Sequence, residues 1–424
     1  MSTLTSKSLT VKRRRTVGVK INRSFWQLTR TRARYVVCYG GRRSGKSYAV
    51  SQLLVRKALS EAGRRIVVMR KVARTIRLSV WPRVIAAVDE AVGIDRCYVN
   101  KSDFTIRLPN GSEFLFVGAD NPEKLKSLES ATDYWFEEAS EFDAVDLDTI
   151  DAGLSPADVQ APAQVWLTFN PLPRIPGAEH WLQRRFLQTA HEIGEMAERG
   201  EVAVLRTTFM QNAYVPEATR EVLLGYRESN PELWRLWGLG EFTTLEGAIL
   251  TQGVEVIREG DIESLGLEYV GRGQDFGYAN DPAALVSIWS SDRALALRED
   301  LYETGLTNRD LSARYGELGV SYREVIRADS AEPKSIDELR ADGWLVVPAE
   351  KGPDYKRAAA RWLQSKRIYV VEGSTNLLRE LASWSWDRDR SGNLLPRPAD
   401  GDDHTVDATI YGAYRRENVI RSLI

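Results

Sequence analysis

Gly40-Gly41-Arg42-Arg43-Ser44-Gly45-Lys46-Ser47 satisfies G-x-x-x-x-G-K-[ST] in full. It follows an apolar strand-like run (33–40) and opens a helical one (48–63), the context such a loop requires. Glycines let backbone N–H groups turn inward around phosphate oxygens, and the helix behind them adds the positive end of its dipole. Lys46 would bind the β- and γ-phosphates and Ser47 would ligate Mg²⁺. The metal needs an acid from a neighbouring strand end, and ATDYWFEEAS supplies Glu137 and Glu138. Glu137 would hold Mg²⁺, directly or through its waters, and Glu138 would position or deprotonate the attacking water. AQVWLTFNP ends a further strand with Thr168 and Asn170, polar groups placed to touch the γ-phosphate or its water. Arg42 and Arg43 lie inside the loop, where one arginine can stabilise transition-state charge in cis; the residues alone do not say which. In SFWQL, Trp26 is read as stacking on adenine and Gln27 as bonding its edge, with simple packing under the domain as the alternative.

A second group of acids lies far downstream. Asp275 sits in GRGQDFGYANDP, Asp329 in RADSAEP, and Asp402, Asp403, His404 and Asp407 in GDDHTVDATIYGAY. His404 and Asp407 are three apart and share a helix face. Carboxylates presented to one point by a first strand, a fourth strand and a last helix suit two divalent metals. Such a pair, ~3.5–4 Å apart, activates water and stabilises the leaving oxygen of a phosphodiester. Oxygen ligands select Mg²⁺ or Mn²⁺ rather than zinc. Taken singly, each acid is an ordinary turn or cap residue, and Asp402 or Asp403 would cap the last helix.

The elements that must carry these residues form two α/β stretches, the first expected to give a parallel-rich sheet covered on both faces, the second to open with three consecutive strands joined by short turns. The first spans 35–245, with a hairpin at Pro109-Asn110-Gly111 and a Trp-rich helical lid over 210–245. Residues 246–265 read as a linker and 266–424 as the second domain, with strands in 268–303, 324–330, 344–350 and 367–372. Residues 1–34 form a basic arm and the adenine-side segment. Before Asp89 the only acid is Glu61 among many lysines and arginines, a density that can contact nucleic-acid phosphates. The 424 residues, 43% hydrophobic and 28% charged, suit a soluble protein of two or three domains. No apolar run approaches the roughly 18 residues of a membrane span, and no signal core opens the chain. Two cysteines, Cys38 and Cys97, cannot build a disulfide framework or a cysteine zinc site, which fits a reducing compartment.

In order along the chain, GGRRSGKS, WFEEASEF, TFNP, GQDFGYANDPAAL, ADSAEPKSI and DDHTVDATIYGAY together resemble the large terminase subunit of tailed bacteriophages. That resemblance implies an N-terminal P-loop ATPase of the additional-strand type with a small lid, working as a ring at the capsid portal. It makes TFNP the motif that couples hydrolysis to DNA movement. It implies a C-terminal RNase H-like nuclease that cuts concatemeric DNA, with metal ligands at Asp275, Asp329 and Asp407, assisted by His404 or Asp403. It implies ATP with Mg²⁺ in the first domain and two Mg²⁺ or Mn²⁺ in the second. Double-stranded DNA, the portal protein and a small terminase subunit are the implied partners, in the host cytoplasm and not in the mature virion. Family loops often carry a small residue where Arg43 stands, and an arginine from a neighbouring subunit, with Arg70 and Arg77 as candidates, is the alternative finger. The competing reading is a nucleotide-gated DNA-binding or assembly ATPase with an inactive nuclease domain.

Overall fold

In a computed structural model, the described residues are 21–119, 131–154, 162–174, 179–188, 191–245, 247–250, 253–278, 281–352, 354–389 and 393–414. The basic stretch at 11–20 lies outside them. The first domain is built on nine strands: β1 (Tyr35–Gly40), β2 (Arg65–Arg70), β3 (Tyr98–Asn100), β4 (Thr105–Arg107), β5 (Glu113–Gly118), β6 (Asp133–Glu137), β7 (Gln164–Phe169), β8 (Met196–Arg199) and β9 (Val202–Thr207). Their order is β3-β4-β5-β2-β6-β7-β1-β9-β8. The inner strands β5, β2, β6, β7, β1 and β9 all pair parallel. β7 therefore lies between the phosphate-loop strand β1 and the acid-bearing strand β6, the additional-strand arrangement. Because all six run the same way, Gly40, Glu137 and Phe169 end at one edge of the sheet, where parallel sheets bind ligands.

Strand alternation divides the core into two layers. Val36 and Cys38 of β1 pack with α1 (Lys46–Ser60) and α2 (Val80–Val92). Val37 and Tyr39 face the other way, onto Phe142, Leu147 and Trp181. The expected hairpin is present, with Ile106 opposite Phe114 and Gly111 at φ +85° in its turn. Over 210–245 the chain forms α3 (Glu217–Ser229) and a π-helical turn at Trp234–Gly238. That turn packs directly on the phosphate loop. The Arg42 amide donates to the Trp237 carbonyl at 2.7 Å, and a Cβ on Gly41 would lie 2.5 Å from that same oxygen.

The second sheet has seven strands in the order β10-β16-β13-β12-β11-β14-β15. These are β10 (Val254–Ile257), β11 (Glu268–Asp275), β12 (Pro282–Ser290), β13 (Ala294–Thr304), β14 (Ile326–Ala328), β15 (Val346–Pro348) and β16 (Arg367–Val371). β11, β12 and β13 form an antiparallel meander, and β14 joins β11 in parallel. Val254–Ile257 fall within the stretch read as a linker, yet they pair with β16. An edge strand this short carries no sequence signal beyond alternation. Val286 and Ile288 face α6 (Tyr355–Gln364), α7 (Thr375–Ser383) and α8 (His404–Ala413). Leu285 faces α4 (Asn308–Glu317) and α5 (Pro333–Ala341). α8 lies against β11 at a glycine contact: a Cβ on Gly273 would sit 1.7 Å from the Ala408 carbonyl oxygen. Among the described residues, no helix is long and apolar enough to cross a membrane.

Candidate functional site

The phosphate loop turns through Gly45 at φ +86° into α1, so that Lys46 and Ser47 open the helix. Lys46 is buried, and its Nζ donates to the Gly40 and Gly41 carbonyls at 3.1 and 3.0 Å, to Ser44 Oγ at 3.1 Å and to Asn170 Oδ1 at 2.8 Å. Burial lowers its pKa to about 8, against the pull of Glu138 and Glu137. Glu137 ends β6 fully buried. It accepts from Thr168 Oγ1 through a short hydrogen bond and from Arg83 Nη1 of α2 at 2.8 Å. Thr168 in turn accepts from the Trp135 indole at 2.8 Å. Both polar residues of TFNP thus touch the machinery, Thr168 at the acid and Asn170 at the lysine.

Glu138 adopts the left-handed conformation at φ +55°, which a non-glycine residue enters only at a cost. Burial, then the Glu137 charge, raises its pKa to about 7, opposed by Lys46 and Arg70. A carboxyl poised near neutrality beside a buried lysine suits a base that takes a proton from water. Arg42 lies over the Trp237 ring at 3.8 Å and lines a cleft of about 450 Å³ with Glu138 and Asn170. Arg43 is exposed at φ +60°, and its carbonyl accepts from Asn212 Nδ2 at 2.8 Å. Arg70 is buried and donates to both Glu141 oxygens at 3.1 Å, whereas Arg77 is exposed.

Trp26 and Gln27 are the two residues read as lying on the adenine side. Gln27 is committed to the backbone: its amide donates to the Ser24 and Gly194 carbonyls, and its oxygen accepts from the Met196 amide, all at 2.8 Å. Backbone groups at a domain margin need partners, and Gln27 satisfies them. Trp26 is exposed beside Arg56, outside the cleft flanking the loop. That cleft is lined instead by Asn22, Tyr48, Gln52, Glu90, Asn212 and Tyr214. Sequence reasoning singled out neither Tyr48 nor Tyr214 of that cleft, nor Arg83, which bonds to Glu137.

In the second domain, Asp275 ends β11, Asp329 follows β14, and Asp403, His404 and Asp407 sit at the start of α8. His404 Nδ1 lies 2.9 Å from Asp275 Oδ2. The Tyr411 hydroxyl lies 3.1 Å from Asp329 Oδ2 and 3.4 Å from Asp407 Oδ2, so its one proton can go to either carboxylate. Lys351 pairs with Asp329, and Lys356 with Asp407 at 3.3 Å and Asp403 at 3.6 Å. Asp402 is exposed. The acids are grouped, but among the described residues no three converge as a ready-made metal-ligand set. Like charges in a desolvated pocket repel, and the two lysines offset part of that repulsion.

The donor chemistry nonetheless fits a divalent cation. Burial raises Asp275 and Asp403 to about 6, with the Asp407 charge adding to both. Asp407 is also raised by burial, against Lys356. Asp329, despite its burial, is held below the usual carboxylate range by Lys351 and the Ala331 amide. Asp403 Oδ2 is buried with no hydrogen-bond partner among the described residues. Such oxygens gain most from a hard cation.

Fold and sites together define a P-loop ATPase joined to an RNase H-like nuclease. The sequence model described as "Phage terminase large subunit" matches residues 32–241, and that described as "Terminase RNAseH like domain" matches 275–413. The PBSX phage terminase large subunit of Bacillus subtilis (strain 168) is 27% identical over 399 residues, covering 89% of each chain. The large terminase subunit of Bacillus phage SPP1 is 26% identical over 408 residues, covering 90% of this chain and 91% of that one. Among solved structures, the large terminase from a thermophilic bacteriophage is similar with a TM-score of 0.47 and 18% identity, over 92% of this chain and 98% of that one. The SPP1 g2p nuclease domain with bound Mn gives 0.34 and 28%, over 38% and 96%. The chain belongs to the phage large terminase subunit family, with a terminase ATPase domain and an RNase H-like nuclease domain.

Proposed function

We propose that this chain uses ATP hydrolysis to drive double-stranded viral DNA into a procapsid and cuts concatemeric DNA with a divalent-metal-dependent endonuclease. One observation carries the reading: a single chain holds a buried lysine facing paired glutamates at one sheet edge and a desolvated Asp/His group at the other sheet. In the first site Lys46 binds the β- and γ-phosphates, Ser47 and Glu137 hold Mg²⁺, and Glu138 takes the proton of the attacking water. Arg42 reaches the γ-phosphate in cis, a role supported by the cleft it shares with Glu138. Thr168 and Asn170 sense hydrolysis through the acid and the lysine they touch.

In the second site Asp275, Asp329, Asp403 and Asp407 would hold two Mg²⁺ or Mn²⁺, and His404 would orient Asp275. The metals would supply Lewis acidity and an acidified water at a phosphodiester. Family membership supports the portal protein and a small terminase subunit as partners, a homo-oligomeric ring on the procapsid, and action in the host cytoplasm. The test is plasmid cleavage by the full chain, with and without ATP and with each metal, alongside phosphate release. Nicking that needs Mg²⁺ or Mn²⁺ is expected. ATP turnover without cutting under any metal would instead establish a nucleotide-gated DNA-binding ATPase with an inactive nuclease domain.

A further inference from the structure

The helix that carries His404 and Asp407 begins without help from its own N-cap. Asp403 occupies that position, and its side chain makes no capping hydrogen bond. Asp is among the best N-cap residues because its oxygen ordinarily accepts from the second or third helical amide. Here that acceptor comes from another element. Glu380 of α7 is buried, and its Oε2 accepts from the Thr405 amide at 2.6 Å and from the Thr405 hydroxyl. Its Oε1 accepts from the Tyr302 hydroxyl at 2.7 Å, and that hydroxyl accepts from Arg379 Nη2 at 2.9 Å. The carrier helix is itself anchored: Glu299 of β13 accepts from the Leu377 amide at 2.8 Å and from Asn376 Nδ2 at 2.6 Å in the first turn of α7.

We infer that Glu380 is a positioning residue for the nuclease metal site, supplying from outside the cap that Asp403 would otherwise supply. The inference rests on the metal-site reading above. The consequence lies in what Asp403 is free to do. With the Thr405 amide already satisfied, Asp403 turns toward Lys356, which also pairs with Asp407, and its buried Oδ2, 3.6 Å from the Lys356 ammonium, has no hydrogen-bond partner among the described residues. A carboxylate that capped its own helix would have an oxygen pinned to the backbone and would be a poorer ligand. The Glu380 charge also lies at the positive end of the α8 dipole, which stabilises it there. Its neighbours Tyr302 and Arg379 fix its second oxygen, so the carboxylate has one orientation.

The experiment is Mn²⁺ titration calorimetry on the full chain, with ATP turnover and near-ultraviolet circular dichroism as checks of folding. Wild type is expected to bind Mn²⁺ and Asp275→Ala to lose it. If wild type binds none, the metal-site reading falls and this inference with it. Glu380→Ala is expected to weaken Mn²⁺ binding by about tenfold or more, the range for groups that orient metal ligands. A purely architectural Glu380 would lower the melting temperature and leave the affinity of the folded protein unchanged; that result, beside normal wild-type binding, overturns the inference alone. The double variant gives a sharper signature. Without Glu380, Asp403 falls back to capping, so Asp403→Ala should weaken Mn²⁺ binding less in the Glu380→Ala background than in wild type. Additive losses would contradict the role. If Glu380→Ala does not fold, Glu380→Gln carries the test, since it keeps the volume and one acceptor oxygen but loses the charge. A smaller weakening is expected from it, and unchanged affinity overturns the inference.

Discussion

The two groups of acids to which chemistry is proposed in this molecule are built in opposite ways. Glu137 and Glu138 are neighbours in sequence at the end of one central strand, and Glu137 is clamped by Thr168 and Arg83. Besides Arg83, the cation near them is Lys46, buried and held at four neutral oxygens. The nuclease acids come from β11, the end of β14 and the start of α8, and their cations are Lys351 and Lys356, both exposed at the rim. A site on one rigid strand keeps its geometry through many turnovers. A site assembled from three elements depends on what holds those elements together, here the Gly273–Ala408 contact and the Glu380 cap. Long, exposed lysine side chains can also leave their acids, whereas Lys46 cannot move without unmaking the loop.

The largest effects should separate the two sites completely. Glu138→Ala is expected to lower ATP turnover by roughly 10²–10⁴-fold, the contribution of a positioned base, with nucleotide binding retained. Arg42→Ala should cost about 10³-fold if it is the finger. Phosphate release measures both, and neither variant should change metal-dependent nicking of plasmid. A normal rate in Glu138→Ala removes it as the base. In the converse experiment, Asp275→Ala should cut nicking by about a hundredfold or more while ATP turnover holds, since a lost metal clamp is worth several kcal/mol. Full cutting by Asp275→Ala would dissolve the proposed metal site.

The contrast between the sites also explains what the sequence discloses. Glu137, Glu138, Asp275, Asp329 and His404 are legible because each lies where an apolar run or a helix begins or ends, and strand ends are where such sheets act. Their partners leave no such mark. Arg83 meets Glu137 across the sheet edge, Lys356 meets Asp407 from α6, and Glu380 meets Thr405 from α7. Each is a charged residue on a helix, and nothing local distinguishes it from a solvated one. Gln27 shows the converse: a polar residue near a nucleotide loop invites a ligand role, and its side chain is also bonded to the backbone at 194–196. β10 is hidden because four residues of alternation cannot reveal a pairing partner more than a hundred residues away.

A smaller effect tests how far burial of the glutamate pair is tolerated. The folded chain holds the Glu138 proton more tightly than the unfolded chain does, since its pKa rises from 4.5 to about 7. The group's contribution to stability is therefore full below about pH 4.5 and is lost as pH rises through about 7. Glu138→Gln removes that loss. It should be more stable than wild type by about 2–3 kcal/mol at pH 8, with the difference vanishing near pH 4. Urea unfolding at the two pH values measures it, and equal stability at pH 8 would mean that neither burial nor the Glu137 charge destabilises the ionised Glu138.

The smallest expected effect decides between the paired arginines of the loop. Arg43 sits at φ +60°, a conformation that costs a side-chain-bearing residue about 1–2 kcal/mol and glycine almost nothing. Its backbone carbonyl accepts from the Asn212 amide, and among the described residues its guanidinium makes no hydrogen bond or ion pair. Glycine in the unfolded chain has more freedom to lose, about 0.5–1 kcal/mol, so Arg43→Gly should leave the melting temperature unchanged or slightly higher. ATP turnover should stay near the wild-type rate. Arg42 has the opposite signature, stacked on Trp237 and facing the cleft with Glu138, and it gains nothing from becoming glycine. A loss in Arg43→Gly as large as that in Arg42→Ala would transfer the finger to Arg43 and make its strained backbone the means of aiming it.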